Sequence, residues 1–236
     1  MESLEKTRER LFLRFNGKVL DFGCGKMQYA INMLNKSKEF LELFGFDIDA
    51  KAINYAQEHI KHNALSERVE LIIADGNNPP FIGKCFDVIM FKWALHHFKE
   101  WKEILRKVKI LLKDNGTLYI EEPLKKNPFA RLGSFIYYSV SHPLMNIHKK
   151  PVEQWPFDPK ELIDEVRKNF LIEHVSFHGF LSFLFKRASQ YSKFKIMKVV
   201  FDNLFIGTKD LDRLAESSIF LQKLCSEIVI VAKKPS

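Results

Sequence analysis

The chain has 236 residues, 46% of them hydrophobic and 28% charged, with a formal net charge of +8 at pH 7. That length suits one large α/β domain, and no internal repeat or low-complexity linker interrupts it. Cys24, Cys85 and Cys225 are far apart and odd in number, which speaks against a disulfide framework or a zinc site and for a reduced compartment.

The first sixteen residues have the spacing of an amphipathic helix, with Leu4, Leu11 and Phe15 on one face. The segment is charged and lacks an apolar core, so no signal peptide is expected. No run approaches the ~18 uninterrupted apolar residues of a spanning helix, and a cytoplasmic protein is the expectation. Val19 to Met27, VLDFGCGKM, is an apolar strand that breaks at Gly23 and Gly25 and enters a helical pattern. Two glycines let the backbone pass close to a ligand, and a helix N-terminus offers unpaired N–H groups. Asp21 would repel a phosphate there, so the turn suits a ligand with a positive end and fits a dinucleotide poorly.

Glu42 to Ile48 is a second apolar run ending in Asp47, and Asp49 is placed to cap a helix beginning at Ala50. An acid at the end of the second strand is where nucleotide folds bind ribose hydroxyls. Val69 to Asp75 is a third run ending in an acid, followed by Gly76. Asn78-Pro79-Pro80-Phe81 suits a turn toward the next strand. Phe86 to Phe91 is the fourth run, followed by His96 and His97. Lys99 to Lys113 reads as a helix ended by Asn115-Gly116, with Trp101, Leu105, Val108 and Leu112 facing the core. Gly116 to Glu122 is the fifth strand, Phe170 to Phe177 the sixth and Glu227 to Ala232 the last. Asp158-Pro159-Lys160-Glu161 starts a short helix whose apolar face is Leu162, Ile163 and Val166.

The ordered motifs resemble the class I S-adenosylmethionine (SAM)-dependent methyltransferases, type 11-like members in particular, over residues 18–122. The third glycine of their first motif is Met27 here. The resemblance implies a Rossmann-like fold: a mostly parallel seven-stranded sheet with helices on both faces and a helical substrate cap. Its last strand would pair antiparallel with the sixth. It also implies SAM as cofactor, held by Asp21, Phe22, Gly23, Cys24, Gly25, Asp47, Ile48, Asp75, Gly76, Phe91 and Lys92, with Asp75 at the adenine amino group. The implied layout is a single domain: an N-terminal helix (1–17), a cofactor core (18–122), cap insertions (123–169 and 180–225) and a final strand (226–233). In the family, the first helix often closes over the cofactor; packing against the sheet edge is the equal alternative.

Residues 123–152 and 174–201 contain no Asp or Glu and carry ten Lys and Arg, more than the whole net charge. Phe177 to Phe205 adds seven phenylalanines and one tyrosine. A satellite core, a pocket for an anionic amphiphile or an anionic membrane surface, and an RNA site all fit this composition. A small amphipathic or lipid-like acceptor is the reading adopted; RNA methylation and a non-catalytic binding subunit are the alternatives.

Methyl transfer from a sulfonium needs neither metal nor acid, and a base only where the nucleophile must lose a proton. His97 is the candidate base, on the resemblance; His142, His148 and His178 are alternatives. His59 and His62 read as surface residues, and no metal site is expected. The NPPF tetrapeptide matches an amino-group methyltransferase signature but precedes the fourth strand instead of following it, so it is read as a turn. No Cys follows the fourth strand, which argues against covalent ring-carbon methylation.

Overall fold

The computed structural model describes residues 4–36, 41–125, 157–181, 185, 189, 195–218 and 220–236. Seven strands form one sheet: β1 (Gly17–Phe22), β2 (Leu41–Asp47), β3 (Val69–Ile73), β4 (Phe86–Lys92), β5 (Leu112–Pro123), β6 (Leu171–His178) and β7 (Glu227–Lys233). Their order is β3-β2-β1-β4-β5-β7-β6. β1 pairs in parallel with β2 and β4, β2 with β3, and β4 with β5. β7 runs antiparallel to β5: the Lys234 N–H donates to the Gly116 carbonyl at 2.9 Å and the Leu124 N–H to the Ser226 carbonyl at 2.8 Å. The Ser226 N–H donates to the His178 carbonyl at 3.0 Å, so the end of β6 lies beside the start of β7, antiparallel as expected.

The helices are α1 (Leu4–Phe12), α2 (Gln28–Lys36), α3 (Ala50–His62), α4 (Trp101–Leu111), α5 (Pro159–Asn169), α6 (Lys195–Gly207) and α7 (Lys209–Ser217). Asp49 caps α3, its carboxylate accepting from the N–H groups of Lys51 and Ala52. None of the described helices is long and apolar enough to cross a membrane.

Three boundaries differ from the sequence expectation. The first helix stops at Phe12, because Phe15 must turn back under Tyr119 (ring centroids 6.0 Å apart) and Gly17 begins β1 at φ 71°. α4 stops at Leu111, and residues 112–116 join β5; Asn115 (φ 61°) takes up the extra chain where the β4–β5 register shifts after Phe86. β3 stops at Ile73, so Asp75 stands in the following turn, its carboxylate accepting from the Asn77 backbone and side-chain N–H groups.

The chain divides into two compact units. The sheet unit holds Glu2–Glu122, Lys160–Val175 and Val229–Ser236. Its core gathers Leu11, Phe12 and Phe15 from the N-terminal segment with Val19, Leu43, Val88, Tyr119 and Val229 from the strands. α5 belongs here: Leu162 and Val166 are fully buried, and Glu161 pairs with Lys102 of α4 at 2.9 Å. The second unit holds Pro123–Pro159 and Ser176–Ile228. It contains α6, α7 and a bridge between Leu124 and Phe157. Much of the expected cap, including His142 and His148, lies outside the described residues.

β1 and β4 are central strands whose residues are buried almost without a break, as parallel strands covered on both faces require. A charge on such a strand needs a partner. At the end of β5, Glu121 is completely buried and has three: Arg8 (Nε to Oε2 2.7 Å), the Tyr119 hydroxyl (2.7 Å) and Lys92 (3.7 Å). Burial opposes its ionisation, but the Arg8 hydrogen bonds, the Arg8 and Lys92 charges and the Tyr119 hydroxyl outweigh burial and hold its pKa below the usual value. The ion pair therefore stabilises the fold above the ordinary carboxylate range and stops doing so as pH falls through the lowered folded-state pKa. Arg8→Ala should destabilise the protein by about 3–5 kcal/mol at neutral pH, by stranding a buried carboxylate. Thermal unfolding across pH checks this, and the penalty should shrink toward acid pH as Glu121 protonates.

Candidate functional site

Strand order reverses between β1 and β4, and ligands of open α/β sheets bind at the carboxyl ends of strands at such a switch point. Six of the residues singled out by sequence lie at the carboxyl ends of β1 and β2 or just beyond them: Phe22 and Asp47 end the strands, Gly23, Cys24 and Gly25 form the turn after β1, and Ile48 follows β2. The β1 turn puts Gly23 (φ 73°), Gly25 (φ 50°) and Met27 (φ 52°) in left-handed backbone at alternate positions. A side chain there costs about 1–2 kcal/mol, so Met27 carries strain where the family pattern has glycine. Gly45 on β2 provides the compensation. A Cβ at Gly45 would lie 2.4 Å from Met27 Cε and 3.0 Å from Cys24 Sγ, so its absence makes room for both side chains.

The turn is tied to β2 twice. The Cys24 N–H donates to the Phe46 carbonyl at 3.0 Å, and the Gly25 N–H to Asp47 Oδ2 at 2.8 Å. The other Asp47 oxygen accepts from the Asp49 N–H at 2.9 Å. Each carboxylate oxygen accepts more than one hydrogen bond, so Asp47, half-buried, still has acceptor capacity for a ligand. A Cβ at Gly25 would meet nothing within 4 Å, whereas one at Gly23 would come within 2.9 Å of Ala94 Cβ in the loop after β4. Gly25 thus faces open space, and Gly23 permits close approach of the two loops. Ile48 (71% exposed), next to Asp47, and Ile73 of β3 (55% exposed), the register partner of Asp47, present apolar side chains to solvent.

Asp21 is only 5% exposed. Burial pushes its pKa up to about 7, the Lys92 charge counteracts this, and the Asp47 charge adds to it. A cation docked nearby would offset the cost of keeping this carboxylate ionised. Lys92 sits 3.7 Å from Glu121 and 4.4 Å from the Tyr29 ring centroid, and the Arg8 guanidinium lies 5.5 Å from that ring. The buried Tyr29 hydroxyl has no hydrogen-bond partner among the described residues. An unpaired buried hydroxyl and a carboxylate favouring a cation are both left open to a polar ligand.

Other predicted residues contribute differently. Phe22 and Phe91 are fully buried, their rings 4.7 Å apart, so they offer backbone and packing beneath the site. Gly76 is covered by Phe98, whose Cζ would lie 2.5 Å from an added Cβ. Phe81 of the NPPF turn packs against Phe86 at 4.9 Å. His96 is buried and its Nδ1 lies 2.6 Å from Glu122, which also accepts from the N–H groups of Ala94 and Leu95. His97 is exposed and stacks on His96 with ring centroids 4.1 Å apart. His178 is buried in the second unit. Sequence reasoning missed the group formed by Arg8, Tyr29, Tyr119 and Glu121, the capping role of Glu122, and Ile73. Two consecutive acids ending an apolar strand were the available signal, since buried carboxylates demand partners. Among the described residues, no cluster of three His, Cys, Asp or Glu could hold a metal ion.

A family model described as a methyltransferase domain matches residues 14–177. The chain belongs to this methyltransferase family. A demethylmenaquinone methyltransferase of Thermotoga maritima is 31% identical over 110 residues, 47% of this chain and 45% of that protein. The sterol 4-C-methyltransferase strm-1 of Caenorhabditis elegans is 24% identical over 134 residues, 57% of this chain and 39% of that one. The chain spans about half the length of the curated relatives it matches. Among solved structures, geranyl diphosphate C-methyltransferase from Streptomyces coelicolor, in complex with S-adenosyl-L-homocysteine, superposes with a TM-score of 0.64 at 10% identity. That match covers 98% of this chain and 81% of the other. The methyltransferase fold is thereby shared over nearly the full chain.

Two predictions test the site. Asp47→Ala should leave the sheet folded while releasing the β1 turn that Asp47 ties to β2, and should weaken S-adenosylhomocysteine binding by roughly tenfold or more in calorimetric titration, the loss expected for hydrogen bonds to a charged group. The second concerns Asp21. Between the ordinary value of 3.8 and about 7, the folded state holds a proton that the unfolded chain has released. Stability therefore falls as pH rises through that window. Asp21→Asn should flatten this slope in denaturant unfolding between about pH 4 and pH 8, leaving the variant the more stable at the alkaline end.

Proposed function

We propose that this methyltransferase-family chain moves a methyl group from SAM to a small, amphipathic, lipid-like acceptor. The observation that carries the cofactor reading is the buried Asp21 carboxylate beside the open Gly25 turn, at the switch point of a methyltransferase fold. SAM, when bound, supplies an electrophilic methyl group on a sulfonium. Asp21 and the Tyr29 hydroxyl would face its charged methionine end, with Gly23, Cys24 and Gly25 lending backbone. Asp47 would accept from the ribose hydroxyls, and Ile48, Ile73 and Asp75 would flank the adenine. Asp21 would lose its proton when a cation docks beside it, so cofactor binding near pH 7 should release protons.

The relatives support this acceptor class: their names specify demethylmenaquinone, a sterol and geranyl diphosphate. An apolar body that also carries a polar group is common to these. Where the nucleophile carries a proton, His97 would take it: the ring is exposed, and it stacks on a histidine that Glu122 holds in place.

The test is incubation of the protein with methyl-tritiated SAM and a panel of quinols, sterols and prenyl diphosphates, with total RNA in parallel. Label extracted with a lipid-like acceptor is expected; label carried only by RNA would overturn the acceptor reading, and no transfer to any acceptor would favour a binding subunit. With a hydroxyl acceptor, His97→Asn should lower kcat by about 10²–10⁴ while cofactor affinity holds. An unchanged kcat would remove His97 from proton transfer.

A further inference from the structure

Among the described residues, four other than glycine have a positive φ: Met27, Ala64, Trp93 and Asn115. Three have a local explanation. Gly45 clears space for the Met27 side chain. Ala64 follows α3, and helices commonly end on one left-handed residue. Asn115 is of a residue type that enters this region readily. Trp93, at φ 57°, has no such explanation, and for a bulky side chain that backbone is a genuine outlier. A left-handed residue bearing a Cβ costs about 1–2 kcal/mol. Strain of this kind collects where function requires a particular side chain.

The scaffold imposes the backbone conformation here, but it does not require an indole. The Trp93 N–H donates to the Glu121 carbonyl at 2.9 Å, one residue beyond the end of β4. The next two N–H groups, of Ala94 and Leu95, donate to Glu122 Oε1 at 2.9 and 2.7 Å, and Ala94 lies against Gly23. Glycine or asparagine would meet the same bonds at lower cost. Phe91, Ala94, Leu95 and His96 are all buried, while Trp93 between them is 40% exposed. Among the described residues at the carboxyl ends of β4 and β5, it is the one large apolar side chain so exposed.

The ring borders the cofactor region. The Lys92 ammonium lies 5.6 Å from the Trp93 ring and 4.4 Å from that of Tyr29, and its charge counteracts the effect of burial on the Asp21 carboxylate. The groups proposed for the cofactor stand at or after the ends of β1, β2 and β3, and β4 lies on the other side of β1. In-line methyl transfer requires the acceptor to sit directly against the cofactor. The end of β4 is the neighbouring strand end on that side. We propose that the Trp93 indole contacts the methyl acceptor and sets which acceptors the enzyme takes. An indole offers a broad apolar face and one N–H donor, which suits an acceptor that joins an apolar body to a polar group. The inference rests on the SAM-dependent transfer proposed above and adds to it a residue that reads the acceptor.

The test compares the parent with Trp93→Asn, which suits left-handed backbone but lacks the indole, and Trp93→Phe, which keeps an apolar ring. Circular dichroism should show both variants folded, and calorimetric titration should place their S-adenosylhomocysteine affinity within about twofold of the parent. Saturated with S-adenosylhomocysteine, the parent should bind 1-naphthol or geranyl diphosphate in the same calorimeter. Trp93→Asn should weaken that binding by about tenfold or more, and Trp93→Phe by less. In the methyl-transfer screen, Trp93→Asn should raise the acceptor KM and change the ranking of acceptors by kcat/KM, which a merely structural residue would not do. Equal probe binding by parent and Trp93→Asn would overturn the proposal. So would a loss of S-adenosylhomocysteine affinity as large as the loss of probe affinity, which would assign the indole to the cofactor pocket. Transfer with unchanged KM and ranking in Trp93→Asn would overturn the role of Trp93 and leave the methyltransferase reading standing. Neither probe bound and no transfer by the parent would overturn the proposal together with that reading.

Discussion

The carboxylate of Asp47 accepts one backbone N–H from the turn after β1 and another from the loop after β2. Two neighbouring strands thereby share one electrostatic brace at their carboxyl ends. The first turn depends on it, because three left-handed residues in five are otherwise a strained path for the chain. Asp47 holds Gly25 in place, Gly45 clears the space that Met27 occupies, and Gly23 lets the β4 loop come close. The glycine missing from the motif at position 27 is thus matched by a glycine on the neighbouring strand. The side chain that takes its place turns inward, and the ligand side of the turn remains open at Gly25.

A second constraint is the disposal of charge at the strand ends. Asp21, Glu121 and Glu122 are all buried, and each has a different solution. Glu121 is ion-paired to Arg8 and Lys92 and stays ionised. Glu122 accepts from two backbone N–H groups and approaches His96, which fixes the loop bearing His97. Asp21 is less well compensated, and its pKa rises toward neutrality. The first two arrangements stabilise the scaffold, and the third costs stability at neutral pH. Perturbed groups of that kind are concentrated where ligands bind, and Asp21 stands in the element that leads into the open glycine turn.

The second unit repeats the principle on a helix surface. Asp212 and Glu216 face a main-chain N–H and a buried histidine, and the leucines of α7 are left outside.

The strand sequence, the helix capped by Asp49 and the Pro159 helix start were legible in the amino acids, because local periodicity, caps and glycine breaks are written in neighbouring residues; the antiparallel last strand was what the family resemblance implied. So were the glycine turn and Asp47, since a carboxylate ending an apolar run after such a turn has few structural uses. What the sequence could not disclose depends on residues far apart in the chain. Arg8 meets Glu121 only because α1 folds onto β5, and Gly45 relieves Met27 only because β1 and β2 are neighbours. The inward position of Asp212 likewise depends on the Leu181 N–H that it accepts from, 31 residues away in the chain. Helix ends shifted for the same reason: α4 gave up its last residues when strand pairing offered β5 better hydrogen bonds. Local pattern determined which elements form and where the glycine turn stands. Tertiary packing decided which charges are paired, which are strained and which apolar surface is left exposed.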